Sequence, residues 1–311
     1  MDPYIVLGGA VVGYLVGMTG AGGGALMTPM LVLLFKVKPS IAIFSDLVAS
    51  VVMRPIGAVV HLRKGTVNLR LVGWMVLGSV PAAFLGTYIL YLFGNSATAE
   101  QNVQRALGAA LLLGAAAMIL RQVLDRRNER HRDGAVHDLV VRPLAAVLIG
   151  VVGGLVVGIT SVGSGSLMIV LLLFVYPEIG AKQLVGTDLT QAVPLTCAAA
   201  LGAVTFGHVA LSVTSSLVVG GVPGVLIGSL VSSRAPDRLV RPVITFVILA
   251  SGLKYAGLGT VQLGWTLCAL LLVAAAVWLA RTRFWETGPA GGPPEEPEGQ
   301  ASEARRGGAS D

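Results

Sequence analysis

Asp46, Arg54 and Asp188 interrupt stretches of sequence that are otherwise apolar. An ionisable side chain at membrane depth is costly, so each is a candidate for function. Asp46 follows Ser45 and Asp188 follows Thr187. A carboxylate so placed can carry a proton or bind an ion, or it can cap the start of a helix, as Ser-Asp and Thr-Asp pairs commonly do. Arg54 stands eight residues after Asp46. It can pair with that aspartate, or serve as the fixed charge that grips a sulfonate or carboxylate through its guanidinium fork.

A second group of candidates surrounds two glycine-rich breaks. "GMTGAGGGALMTPM" spans residues 17–30 and "GITSVGSGSLMIVL" spans residues 158–171. The glycines Gly20, Gly22, Gly23, Gly24, Gly163 and Gly165 would let an anion approach the backbone, and Thr19, Thr160, Ser161, Ser164 and Ser166 could donate hydroxyl hydrogen bonds. The helix that follows each break, starting near Ala25 and Ser166, would aim its positive end at the same space. With Arg54 these residues form the candidate substrate site, and Asp46 and Asp188 are candidates for coupling or ion binding. No catalytic residue or metal cluster is expected, since neither a Ser/His nor a paired-carboxylate arrangement is evident. Cofactors are expected to be none.

The elements that hold these residues follow from composition. The chain has 311 residues, 54% of them hydrophobic and only 12% charged, which is the composition of a membrane protein. Its arginines cluster in short loops, where they read as a topology signal, and the net charge of +6 carries no implication of nucleic acid. The first apolar stretch lacks a basic leader and exceeds the length of a signal core, so it is expected to stay in the mature protein. Cys197 and Cys268 read as small buried hydrophobes. Beyond Trp285 the Gly/Pro/Glu-rich sequence reads as a disordered tail.

The chain also repeats itself. Gly9, Gly13, Gly17, Gly22 and Gly24 recur at a shift of 141 as Gly150, Gly154, Gly158, Gly163 and Gly165. At a shift of 142, Asp46-Leu47 matches Asp188-Leu189, Gly65 matches Gly207 and Pro81 matches Pro223. Gly-x3-Gly spacing before each break suits close helix packing.

Whether the glycines interrupt one span or turn the chain back decides how the halves relate. A single span divides the loop cations nine against nine, whereas a hairpin leaves only Lys36, Lys38 and Arg105 on one side and fifteen on the other. The positive-inside bias favours the hairpin, with arms at 4–19 and 25–36 and again at 143–160 and 166–176. The two halves are then inverted in the membrane, an arrangement found in many secondary transporters. The N-terminus would lie outside and the C-terminal tail in the cytoplasm.

The paired glycine-rich segments, followed by "FSDL" and "GTDL" and then by Gly65-x-Val67 and Gly207-x-Val209, resemble the TauE/SafE family of sulfite and organosulfonate permeases over residues 4 to 260. The resemblance implies an inner-membrane protein that moves small sulfur-containing anions. The two aspartates depart from the family's usual Gly-Thr-Ser-Leu pattern.

The expected fold is all-α and polytopic, with two inverted repeats, each a glycine-broken hairpin followed by three spanning helices, and one extra C-terminal span. The expected divisions are a first membrane repeat at 1–124, a basic cytoplasmic linker at 125–142, a second repeat at 143–260, an extra span at 261–285 and a tail at 286–311. The expected partners are a small anionic substrate and the lipid bilayer, with a homodimer left open. A cation transporter or channel that uses Asp46 and Asp188 is the alternative.

Overall fold

In the computed structural model the described residues are 1–19, 23–93, 99–128, 140–231 and 237–257, together with 259, 262 and 264–268. They form ten helices: α1 Pro3–Thr19, α2 Gly24–Leu33, α3 Pro39–Arg63, α4 Leu69–Phe93, α5 Ala99–Asn128, α6 Pro143–Thr160, α7 Leu167–Val175, α8 Ala181–Phe206, α9 Leu211–Val231 and α10 Asp237–Tyr255. There is no strand among these residues; the one bridge joins Gly163 and Gly165. Six helices are long and apolar enough to cross a bilayer: α3, α4, residues Glu100–Leu120 of α5, α6, α8 and α9. The compact unit ends at Leu263, and residues 264–268 beyond it are helical. The rest of the expected last span, the tail and residues 129–139 of the expected linker lie outside the described residues.

Proline is the first residue of α1, α3 and α6. Pro39 opens α3 and Pro143 opens α6, where a missing N–H costs nothing. Between α1 and α2, and between α6 and α7, the chain turns back. A Cβ placed on Gly8 would meet Met30 at 2.7 Å, and one on Gly23 would meet Val16 at 3.9 Å, so α2 runs back along α1. In the second pair, Tyr176 past the end of α7 donates its hydroxyl to the carbonyl of Arg142, just before α6, at 3.0 Å. The short second arms, 10 and 9 residues long, rise only about 15 Å at 1.5 Å per residue, well under the ~30 Å hydrocarbon core.

The glycine faces of α1 and α6 carry the closest helix contacts. A Cβ on Gly13 would lie 2.5 Å from the carbonyl oxygen of Gly221 in α9, and one on Gly154 would lie 2.5 Å from that of Ser79 in α4. Small residues thus let the backbones of α1 and α9, and of α6 and α4, nearly touch. Along both pairs residue numbers rise together, so these helices are parallel. In contrast, α3 and α8 are antiparallel. Gly207, just past the end of α8, meets Phe44 near the start of α3, while Gly57 meets Leu189 and Gly186 lies beside His61. Likewise α5 and α10 are antiparallel, with Gly108 on Tyr255 and Met118 on Thr245.

Each short arm fills its own apolar core. Met27 and Leu31 of α2 pack with Leu107 and Leu111 of α5 and with Ile244 and Ile248 of α10. Met168 and Leu172 of α7 pack with Ile43 and Leu47 of α3 and with Leu71 and Met75 of α4. Met27, Leu31, Met168 and Leu172 are all fully buried, so both arms are anchored along their length. The expected burial of the two cysteines is not observed. Cys197 and Cys268 are exposed, which in a membrane protein includes surface that faces lipid.

Candidate functional site

The two breaks come together. A Cβ on Gly24, the first residue of α2, would overlap the carbonyl oxygen of Ser161 at the second break. Only glycine permits this approach of the first tip to the second. The second tip is a tight irregular loop: Ser161 caps α6 with φ of 58°, and Gly163 and Gly165 have φ of 123° and 88°. Residues with side chains are disfavoured at such angles, which explains the glycines on either side of Ser164. The hydroxyl of Thr160 does not face a shared space. It donates to the Val156 carbonyl at 2.7 Å and accepts from the Val162 amide at 3.1 Å, closing the end of α6. Ser166 caps the start of α7 in position but makes no side-chain capping bond, and it is buried beside Gly114 of α5.

Helix α3 reaches this meeting point with two charged side chains. Asp46 is fully buried, and its Oδ2 accepts hydrogen bonds from Thr28 of α2 at 3.0 Å and from Ser161 at 2.7 Å. One carboxylate oxygen therefore ties the second arm of the first hairpin to the tip of the second. Arg54 donates from Nη1 to the Ser164 hydroxyl. Its residue exposure is only 9%, and its Nε and Nη2 make no hydrogen bond. Buried guanidinium N–H groups without an acceptor are expensive, so that edge of Arg54 is suited to donate to an anionic or polar group.

Asp46 and Asp188 do not cap their helices. The cap positions are Lys38 and Gly180, and each aspartate is the eighth residue of its helix, counted from Pro39 and Ala181. Instead the hydroxyls that precede them make matched clasps. Ser45 accepts from the Ala210 amide at 3.3 Å, and Thr187 accepts from the Asn68 amide at 3.3 Å. Each clasp joins one half's second long helix to the loop before the other half's third.

Of the residues expected at the site, Gly24 and Asp46 both meet Ser161, Arg54 meets Ser164, and Gly163 and Gly165 shape the loop that holds Ser164. A Cβ on Gly23 would make only ordinary van der Waals contact, with Val16 at 3.9 Å. Gly20, Gly22 and the side chain of Thr19 lie outside the described residues. Three residues were missed by the sequence reading. Thr28 sits within an apolar arm, and its hydroxyl gave no signal apart from its type. Gln191 donates to Ser79 at 2.7 Å, both being fully buried. A large amide in an apolar span is itself a signal, since leaving it unpaired there is costly. Among the described residues no group of three or more His, Cys, Asp or Glu could hold a metal ion.

A polytopic helical protein with buried charges where two broken helices meet has the build of a membrane transporter. Residues 5–255 match the family described as sulfite exporter TauE/SafE, and the chain belongs to that family. It is similar to the probable membrane transporter protein YjnA of Bacillus subtilis (strain 168), with 40% identity over 82% of this chain and 99% of that protein. The probable membrane transporter protein YdhB of the same organism is 23% identical over 80% of this chain and 98% of its own length. A probable membrane transporter protein of Xylella fastidiosa (strain Temecula1 / ATCC 700964) is 26% identical over 78% of this chain and 90% of its own. No solved structure matches the chain. The protein is thus a multi-pass membrane transporter, not an enzyme.

Proposed function

We propose that this chain is a secondary transporter that carries a small sulfur-containing anion, sulfite or a short organosulfonate, with its site at the two glycine-rich tips. The observation that carries the reading is Arg54, a buried cation held on the second tip by Ser164 with two N–H groups left without acceptors. The family's description supports the sulfur-containing cargo. Alternating access between inverted halves is supported by two features. The equivalent helices α3 and α8 run in opposite directions, as do α5 and α10, and the Ser45 and Thr187 clasps exchange when the halves are exchanged. Membership of the family supports residence in the plasma membrane, and the three-to-fifteen split of loop cations supports an N-terminus outside.

Asp46 is the proposed coupling group. It holds both hairpins through one oxygen, so adding a proton there would weaken both bonds and let the tips separate. A cation site built on Asp46 and Asp188 is disfavoured by the buried guanidinium of Arg54, which meets the same tip as Asp46. Uptake of radiolabelled sulfite into proteoliposomes tests the reading. Wild-type protein should support saturable uptake, and Asp46→Asn should retain sulfite binding while losing the response of uptake to an imposed pH gradient. Uptake no faster than in empty liposomes, for sulfite and methanesulfonate alike, would rule the cargo out. Loss of all binding in Asp46→Asn and Asp188→Asn, with a monovalent cation bound by the wild type, would establish the cation alternative.

A further inference from the structure

The orientation of Arg54 carries more information than its charge. A guanidinium has two edges able to form paired hydrogen bonds, and on one of them Nε–H and an Nη2–H point the same way, nearly parallel. Here the other nitrogen, Nη1, is committed to Ser164, while Nε and Nη2 are buried and make no hydrogen bond. The group left open is therefore a two-pronged donor, held in place through its third nitrogen. We propose that this edge is a selectivity fork for anions that present two oxygens on one atom, and that it excludes spherical anions. The inference rests on the tip site proposed above and deepens it, by stating what the ligand's shape must be.

The chemistry of the fork follows from its geometry. Two parallel N–H groups match two oxygens bonded to a common sulfur or carbon, with each oxygen accepting one bond. A halide has a single centre and can satisfy the pair only by sharing, so one or both bonds are long and bent. Burial sharpens the difference, because water cannot complete the solvation of a donor that the ligand leaves unsatisfied. Ser164 supplies the fixed point. Its place between Gly163 and Gly165, both at positive φ, holds its hydroxyl against Nη1 and so sets the plane of the guanidinium. At the matching position of the first break stands Gly23, which has no side chain to do this. Ser164 is thus a positioning residue for the fork.

A lysine at position 54 would keep the charge and lose the planar pair, which makes Arg54→Lys the discriminating variant. Isothermal titration of the purified full chain in nanodiscs, with sulfite, methanesulfonate, acetate and chloride, is the test. Wild-type protein should bind the three oxyanions and bind chloride at least about tenfold more weakly, as expected when one of two charge-assisted bonds is lost. Arg54→Lys should lose that discrimination, and Ser164→Ala should lose part of it while binding remains. Chloride bound as tightly as sulfite by the wild type would overturn the fork, as would unchanged discrimination in Arg54→Lys. If Arg54→Lys does not fold, the wild-type chloride comparison and Ser164→Ala decide. Binding of acetate over chloride with no binding of sulfite or methanesulfonate would leave the fork standing and end the proposed cargo.

Discussion

Helices α3 and α8 each carry an aspartate as the eighth residue with a hydroxyl just before it, yet eight residues further on α3 has Arg54 and α8 has Thr196. The hydroxyl of Thr196 turns back to its own helix and donates to the Ala192 carbonyl at 2.7 Å. Arg54 instead leaves its helix and crosses to the other half's tip. The partners of Asp46 differ from their counterparts in the same way. Thr28 has Ile169 at the matching position, and Ser161 has Gly20. The scaffold contacts are preserved between halves: the clasps of Ser45 and Thr187 and the closest approaches of Gly13 and Gly154 agree in length. Symmetry is therefore kept in the clasps and the glycine contacts and broken where charge meets the tips. Under the proposed function, one small anion at a shared centre would need one cation, and a second arginine brought from α8 would repel the first in a medium that screens poorly.

The comparison breaks most completely at the tips. Gly24→Leu puts a side chain where the Ser161 carbonyl already sits, and backbone cannot move aside as a flexible side chain can. Transport should fall to background, with a stability loss of about 1–3 kcal/mol or more from overpacking. Gly23→Ala, one residue away, would make only an ordinary contact with Val16 at 3.9 Å, at φ of −54°, and should retain most of the flux. Sulfite uptake and thermal unfolding of the two variants, measured side by side, check the pair. Equal damage in both would mean that the tips do not meet as described.

Arg54→Met against Thr196→Val comes next. Replacing a buried charge with an apolar side chain of similar length often leaves stability nearly unchanged, so Arg54→Met should fold. Its sulfite flux should nevertheless drop by about a hundredfold, since hydrogen bonds to charged groups contribute about 1.5–3 kcal/mol each. Thr196→Val removes a bond within one helix and should change flux less than about twofold, a cost well inside the ~0.6 kcal/mol average for side-chain hydrogen bonds in membranes.

Much of this is legible in the amino-acid sequence alone. The turn at each break followed from loop charge and from the shortness of the second arms, both of which are properties of the chain against a bilayer of fixed thickness. The glycines also announced themselves, because packing faces and breaks leave different spacing. Hydroxyl partners did not. A threonine in an apolar arm can bond its own backbone, as Thr160 and Thr196 do, or reach another helix, as Thr28 does. The choice depends on what tertiary packing brings within 3 Å of it. For the same reason the aspartates left capping and site roles open until the caps were seen at Lys38 and Gly180.

Gln191 provides a smaller effect. Its bond to Ser79 joins α8 to α4, and its Oε1 makes no hydrogen bond, so the amide is half used. The matching positions, Ala49 and Gly221, have no such pair, which makes this another break in the symmetry. Ser79→Ala should strand the amide and cost about 1 kcal/mol, while Gln191→Leu removes the polar group as well and should cost less. Melting temperatures of the two variants in one detergent give the order. A costlier Gln191→Leu would mean that the amide has a further partner.

The finest test of the comparison asks for equality. Ser45→Ala and Thr187→Val each remove one hydroxyl from a 3.3 Å bond to a loop amide in the opposite half. Bonds of that length are at the weak end, so each loss should be about 0.5 kcal/mol. If the halves share a scaffold that rocks about a common centre, the two variants should lower stability alike and slow transport alike. A large difference between them would mean that one clasp opens during the cycle and the other does not. The symmetry would then be broken in the motion as well as in the charge. That outcome would place the moving element at whichever loop depends less on its clasp, the one before α4 or the one before α9.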